Sequence, residues 1–150
     1  MENNLVQISE QLTDAIDNAL VKFKNISEEE WNKKPAGKWS KKEILGHLTD
    51  SAANNHIRFI KAQLAEKEFR GLGYEQDFFV DAQQYQQRNI KDVIELWRAY
   101  NMHLAHVIKH INPGKLNVTC LIGNDESVTF LFVVSDYVRH LKHHLGQILG

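Results

Sequence analysis

Residues 134–149 read V-S-D-Y-V-R-H-L-K-H-H-L-G-Q-I-L and have the apolar spacing of an amphipathic α-helix. At about 100° of turn per residue, Leu141 and Ile148 share the apolar face. His140 and His144 are four residues apart, so a helix places them one above the other at the border of that face. The pattern predicts a helix packed in a bundle, and the histidine pair could supply two ligands of a divalent-metal site.

A second helical stretch, residues 40–67, carries a histidine in the equivalent place. With Leu48 at the centre of its apolar face, Ser51, Arg58 and His47 line one border, about 60° to 100° from the centre. Both helices therefore have histidine at the edge of the buried face. If the two helices are neighbours, we expect three histidine side chains to meet between them.

The other five histidines show that this pattern is not simply a result of histidine abundance. His103, His106 and His110 fall on the outer face of a third helical stretch, opposite its apolar residues. His143 is directed away from the core, and His56 is intermediate. Helical periodicity thus selects three of the eight histidines.

Length and composition predict one domain over residues 1–150 with a sizeable core. The formal net charge of −1 gives no electrostatic reason to expect binding to nucleic acid or to a membrane surface. The single cysteine, Cys120, excludes an internal disulfide and fits a reducing compartment. Neither a signal-peptide pattern nor an apolar run of about 20 residues is present, so we expect a cytoplasmic protein.

Four amphipathic segments predict an all-α four-helix bundle. They cover residues 3–24, 40–67 and 89–112 and the last helix. Ser40 and Glu43 have the spacing of a capping box, so the second helix is expected to begin there. The three tryptophans are interpreted as core or helix-staple residues: Trp31, Trp39 and Trp97.

Two connections have less regular patterns. Residues 71–87 contain aromatic residues without a clear period and are interpreted as a long crossover over one end of the bundle. This segment could be a lid over a pocket, but plain packing is the preferred interpretation. Residues 115–122 alternate like a short strand; since one strand without a partner is marginal, we predict an extended connection. Residues 123–125 are predicted to form a turn.

Other chemically reactive residues give weaker signals. Cys120 lies in an apolar run without an adjacent base, which favours a buried, inert thiol over a nucleophile. Asp50 and Asp136 are each within a turn of a candidate histidine and could orient it from outside, but solvated surface charge is the preferred interpretation.

Three histidines on two helices suit zinc, nickel or another borderline first-row ion. Three protein ligands leave a coordination position for water or substrate, which is typical of a catalytic site. An ion bound there would lower the pKa of a coordinated water or thiol and make a nucleophile at neutral pH. The alternative is that these histidines are interfacial residues whose nitrogens are satisfied by neighbouring groups.

Residues 38–59, K-W-S-K-K-E-I-L-G-H-L-T-D-S-A-A-N-N-H-I-R-F, and residues 136–148, D-Y-V-R-H-L-K-H-H-L-G-Q-I, resemble the DinB superfamily. Within it, they resemble the YfiT-like metal-dependent hydrolases. The resemblance implies a four-helix bundle of the DinB/YfiT type with a long crossover. It also implies a divalent metal ion, zinc or nickel, held by His47, His140 and His144.

The same resemblance implies that members often form homodimers and that several are S-transferases with a low-molecular-weight thiol as cosubstrate. The closest transferases are expected to have tryptophan where this chain has Arg139. This difference affects only the expectation that the chain belongs to that subtype of transferase. The metal prediction does not depend on it.

The sequence therefore favours a metal-dependent enzyme, either a hydrolase or a thiol S-transferase, that acts on a small-molecule substrate. Ser51, Arg58 and Tyr137 share the polar border of the histidines and are candidates to contact the substrate or support the metal ligands. No general base is identifiable. The competing hypothesis is a non-catalytic bundle that binds a small ligand or partner and has a vestigial metal site.

Overall fold

The computed structural model describes residues 2–123 and 126–150, with side chains from residue 4 onward. The predicted four-helix bundle is confirmed, because α1 and α3 each pack on both α5 and α6. In chain order, the elements are α1 (Glu2–Phe23), α2 (Glu28–Asn32), α3 (Lys41–Lys61), β1 (Glu68–Gly71), α4 (Gln76–Gln83), α5 (Ile90–Lys109), β2 (Thr119–Ile122), β3 (Val128–Thr129) and α6 (Phe130–Leu149). Short 3-10 helices lie at Ala62–Leu64, Tyr85–Gln87 and Pro113–Lys115.

Helices α3 and α5 run in the same direction, which requires a long connection between them. At their C-terminal ends, the backbone N–H of Asn112 donates to Gln63 Oε1 at 3.0 Å. Near their N-terminal ends, Lys42 Nζ donates to the carbonyl of Arg88 at 2.7 Å. The chain therefore returns along the length of α3 before α5 begins.

The crossover lies along α3, which corrects the prediction that it packs over one end of the bundle. Arg58 donates to the carbonyl of Leu72 at 2.8 Å in the C-terminal half of α3. Toward the N-terminal end, Tyr85 lies so close to Gly46 that an added Cβ would be 2.3 Å from Tyr85 Cδ2. The crossover also contains α4, a helix that the sequence pattern did not predict.

Side-chain caps define where α3 and α6 begin. Ser40 Oγ accepts from the Glu43 N–H at 3.1 Å, and Glu43 Oε1 accepts from the Ser40 N–H at 3.0 Å, so the capping box is confirmed. Thr129 Oγ1 accepts from the N–H of Phe132 at 3.1 Å and caps α6. Helix α3 ends at Lys61, earlier than predicted, because the following residues turn into β1.

A three-stranded sheet, in the order β1-β2-β3, covers part of the bundle. The prediction that residues 115–122 form an unpaired extended connection is wrong, since β2 pairs in parallel with β1 and antiparallel with β3. The strand-like alternation of residues 115–122 was correctly recognised. Its partner strand, Glu68–Gly71, is about 50 residues away in the chain and is too short to show an alternation of its own. Of the turn predicted at 123–125, residues 124 and 125 lie outside the described residues.

The core lies between the four long helices. Leu12, Phe59, Trp97 and Leu141, one from each, are all 1 % exposed or less. Burying side chains of this size stabilises the fold by about 1.5–3 kcal/mol each. The rings of Phe59 and Phe130 are 6.1 Å apart, so α6 runs antiparallel to α3. Among the described residues, no helix has the length and apolarity needed to span a membrane.

Candidate metal centre

Three histidine side chains converge between α3 and α6. One ring nitrogen from each of His47, His140 and His144 lies within 4.8 Å of the other two. Among the side chains that the structure describes, those of residues 4–123 and 126–150, no other group of three or more His, Cys, Asp or Glu residues comes this close together. The predicted meeting of the three side chains is confirmed, and their role as metal ligands stays a prediction.

The ring nitrogens of this histidine cluster are poorly satisfied by protein groups. His47 is fully buried, and neither of its nitrogens has a hydrogen-bond partner. His144 Nδ1 lies 2.8 Å from Gln147 Oε1, an oxygen that can only accept, so Nδ1 carries the hydrogen and Nε2 has a lone pair. That Nε2 lies 3.1 Å from Nε2 of His140. Since buried polar atoms are nearly always bonded, this cluster fits a ligand that accepts several lone pairs.

Burial favours the neutral form of two of these rings. Burial lowers the pKa of His47 to about 4, with further contributions from His144 and His140. The pKa of His140 is also lowered, mainly by burial and then by the charge of His144, while Asp136 acts to raise it. Neutral imidazole is the form that binds metal ions.

The spacing of the two donor atoms on α6 also fits an ion. Two nitrogens on a tetrahedral zinc ion, each at about 2.0–2.1 Å, lie about 3.3–3.4 Å apart. The Nε2 atoms of His140 and His144 are 3.1 Å apart, close to that separation. Three imidazoles without a carboxylate or thiolate suit zinc or nickel and leave a coordination position open.

A cleft of about 900 Å³ opens beside the cluster and has His140 in its wall. It lies between α3, α6 and the crossover. The three residues predicted to contact substrate or support the ligands also line this cleft: Ser51, Arg58 and Tyr137. The sequence pattern thus placed these side chains correctly, and their contact with a substrate stays a prediction.

All three of these side chains already take part in hydrogen bonds, and Ser51 Oγ accepts from Asn55 Nδ2 at 3.4 Å. Tyr137 is buried, and its hydroxyl donates to Asn101 Oδ1. Arg58 donates one N–H to the carbonyl of Leu72 at 2.8 Å. A guanidinium has five N–H donors, so Arg58 can still present positive charge and further donors to the cleft. Tyr137 is better suited to forming the wall of the cleft than to binding a substrate.

Comparison with known proteins identifies the family. The sequence model of the DinB superfamily matches residues 11–148. The chain belongs to the DinB superfamily. The resemblance to this superfamily, which residues 38–59 and 136–148 carry, is therefore confirmed.

A solved structure shares the fold of this DinB-superfamily chain. The protein is described as "YfiT from Bacillus subtilis is a probable metal-dependent hydrolase with an unusual four-helix bundle topology". The likeness has a TM-score of 0.79 at 16% sequence identity and covers 98% of this chain and 83% of that one. It confirms a fold of the DinB/YfiT type. No curated protein matches the sequence.

Trp39 contacts the cluster in a way that the sequence did not predict. Trp31 and Trp97 are core residues, as expected, whereas Trp39 is half-buried with its ring 4.9 Å from that of His47. The sequence feature that could have indicated this contact is the position of Trp39 immediately before the N-cap Ser40. A residue there can form a hydrophobic staple, which directs its side chain back along the helix. Trp39 therefore covers one side of His47.

Asp50 is buried, which corrects its interpretation as a solvated surface charge. It is 5 % exposed and accepts hydrogen bonds from Tyr85 at 2.7 Å and from Gln83 at 2.8 Å. Burial raises its pKa, while these two hydrogen bonds act in the opposite direction. Tyr85 and Gln83 belong to the crossover, which therefore covers the face of α3 that carries Asp50. Asp136, by contrast, pairs with Arg139.

The residues predicted to lie outside the site do so. His103, His106, His110 and His143 are exposed. Cys120 is 1 % exposed in β2, and burial raises the pKa of its thiol, as expected of an inert cysteine.

Proposed function

We propose that this DinB-superfamily protein is a metal-dependent enzyme acting on a small molecule, with zinc or nickel bound by His47, His140 and His144. The observation that carries the proposal is the meeting of three ring nitrogens within 4.8 Å, one of them on a fully buried ring without a hydrogen-bond partner. A buried polar atom without a partner is costly, and a bound cation would remove that cost for the nitrogen that binds it. YfiT, which shares the fold, is described as a probable metal-dependent hydrolase.

An enzyme is favoured over a purely structural metal site because the site is open on one side. A bound ion would supply an activated water or thiol at neutral pH. His140 lies in the cleft wall, so a small molecule there reaches the cluster from the side of this ligand. Arg58 would bind an oxygen of the substrate, and Ser51 would offer a hydroxyl from the same helix.

The nucleophile in this proposal comes from outside the chain. Cys120 is buried in the sheet with a raised pKa, so it is a poor nucleophile. Water would make the reaction a hydrolysis, and a low-molecular-weight thiol would make it an S-transfer. A screen with and without added thiol separates these two outcomes on the same protein.

Elemental analysis tests the metal site. The protein is purified without a nickel column or chelator, beside His140→Ala and the control His103→Ala, which changes an exposed histidine. We expect about one zinc or nickel ion per chain in the wild type and the control, and none in His140→Ala. Metal retained by His140→Ala would contradict the ligand assignment. Absence of metal from the wild type, even after zinc and nickel are added, would favour the non-catalytic bundle.

A further inference from the structure

A second cleft, also of about 900 Å³, lies on another side of the histidine cluster. It is formed by α2, the connection to α3, the first turn of α3, and parts of α4 and α6. Four lysines line it, and we call it the lysine cleft: Lys33, Lys34, Lys38 and Lys41. His140 is not among its lining residues, so it is distinct from the cleft described above.

Two walls of the lysine cleft directly contact the histidine cluster. Trp39 lines the cleft, and its ring lies 4.9 Å from the ring of His47. Gln147 also lines it, and its Oε1 accepts from His144 Nδ1 at 2.8 Å. An occupant of this cleft would therefore touch the side chains that hold two of the three histidines in place.

The lysines of the cleft are mostly without acidic partners. Lys34 pairs with Glu43. Among the described side chains, those of residues 4–123 and 126–150, no carboxylate oxygen lies within 4.0 Å of the ammonium nitrogens of the other three lysines. This holds for Glu30 and Asp77, which also line the cleft. The cleft thus presents ammonium groups that an anionic ligand could neutralise.

The position of Lys41 increases this positive potential. Lys41 is the first residue of α3, where the helix dipole favours anions and disfavours cations. A lysine at this position does not stabilise the helix. The partial positive charge of the helix terminus and the lysine charge act together on an anion in the cleft.

Apolar side chains complete the lining. Pro35, Trp39 and Ile44 present carbon surface beside the lysines. We infer that the lysine cleft binds a small organic anion, with its carboxylate or phosphate at Lys38 and Lys41 and its apolar or aromatic body against Trp39. This inference assigns a substrate or cosubstrate class to the neighbouring centre and in that respect rests on the proposed function.

Fluorine NMR of protein labelled with 5-fluorotryptophan tests this inference, with phenyl phosphate as the probe. The chain has three tryptophans, and Trp31 and Trp97 are only 2 % and 0 % exposed. We expect phenyl phosphate to shift one resonance saturably, and Trp39→Phe identifies it. Inorganic phosphate should bind more weakly because it lacks the apolar body, and phenol more weakly because it lacks the charge.

A double charge reversal provides the matched comparison. Lys38→Glu with Lys41→Glu should weaken phenyl phosphate binding roughly tenfold or more. Glutamate at position 41, the first residue of α3, is favourable to the helix, and Lys38 is exposed in the connection before it, so this variant is expected to fold. The control is Lys61→Glu with Lys109→Glu, the same charge change at exposed positions; Lys61 is about 30 Å along α3 from Lys41. The control should bind like the wild type.

The titration is performed on both metal-free and zinc-loaded protein, so its result is independent of whether the histidines bind metal. A Trp39 resonance that phenyl phosphate does not move would overturn the inference, as would equal affinity in the Lys38→Glu, Lys41→Glu variant. Inorganic phosphate binding as tightly as phenyl phosphate would overturn the role of Trp39. Failure of the proposed function would be seen in a different experiment, the elemental analysis, as wild-type protein that contains no metal.

Discussion

The Nε2 atoms of His140 and His144 face each other at 3.1 Å across one turn of α6. A hydrogen bond between them requires one to donate, and His144 already carries its hydrogen on Nδ1 for Gln147. His140 would then have to donate, and His47 would still have no partner for either nitrogen. An imidazole pair satisfies one contact, whereas a metal ion would take one ring nitrogen from each of the three histidines at once.

Metal binding should stabilise the protein measurably. An ion at 100 times its dissociation constant stabilises the folded state by about 2.7 kcal/mol. For a domain of this length, that corresponds to a melting temperature about 5–10 °C higher. Differential scanning calorimetry with zinc and then with excess chelator measures the change. His47→Ala should abolish the zinc-dependent shift and His103→Ala should keep it, whereas a shift retained by His47→Ala would argue against the cluster.

Gln147 should influence metal affinity without contacting the ion. Its Oε1 accepts from His144 Nδ1 and directs Nε2 toward the cluster. Loss of such an orienting partner typically weakens metal binding about 10–100-fold. Gln147→Leu should therefore weaken zinc affinity by that factor in a competition titration with a chromophoric chelator, while Gln147→Glu, which still accepts, should preserve it. The exposed Gln11 provides the control substitution Gln11→Leu; equal affinities in all four proteins would refute the orienting role.

The parts of the fold and site that could be predicted are those encoded within a single helix. Helical periodicity placed His140 and His144 on one edge, and side-chain caps defined where α3 begins. These features depend on neighbours three or four residues away, which the sequence displays directly. The neighbouring position of α3 and α6 was an assumption, and the structure confirms it.

The parts that could not be predicted depend on distant segments. β2 pairs with a strand about 50 residues earlier, and the burial of Asp50 results from the crossover that supplies Tyr85. A helical wheel contains no information about which face a later segment covers. The contact of Trp39 with His47 likewise depends on the path of the chain before α3.

The close approach of the crossover to α3 should make one glycine essential. An alanine Cβ at Gly46 would lie 2.3 Å from Tyr85 Cδ2, so Gly46→Ala should destabilise the protein by about 1–3 kcal/mol or more. Gly146 in α6 is the matched control, because an added Cβ there meets no atom within 4 Å. Gly146→Ala should stabilise by about 0.5–1 kcal/mol. Urea denaturation measures the free energy of unfolding of both variants. An unchanged value for Gly46→Ala would show that the crossover moves easily to accommodate the added methyl group.

The buried carboxyl of Asp50 should make stability decrease as pH rises. Burial raises its pKa in the folded protein above the unfolded value near 3.8. Between these two values, the folded state binds more protons than the unfolded state, so the free energy of unfolding falls with increasing pH. Below the unfolded value the carboxyl is protonated in both states, and above the folded value the loss is complete.

Asp50→Asn should remove this dependence while keeping an oxygen that accepts from Tyr85 and Gln83. Urea denaturation of the metal-free protein from about pH 3.5 to 7 gives the free energy of unfolding at each pH. The stability of Asp50→Asn relative to the wild type should rise through the titration window and then level off. If the Asp50→Asn difference is flat, or falls with pH, the carboxyl is not destabilised by burial, and its hydrogen bonds to the crossover outweigh the loss of hydration.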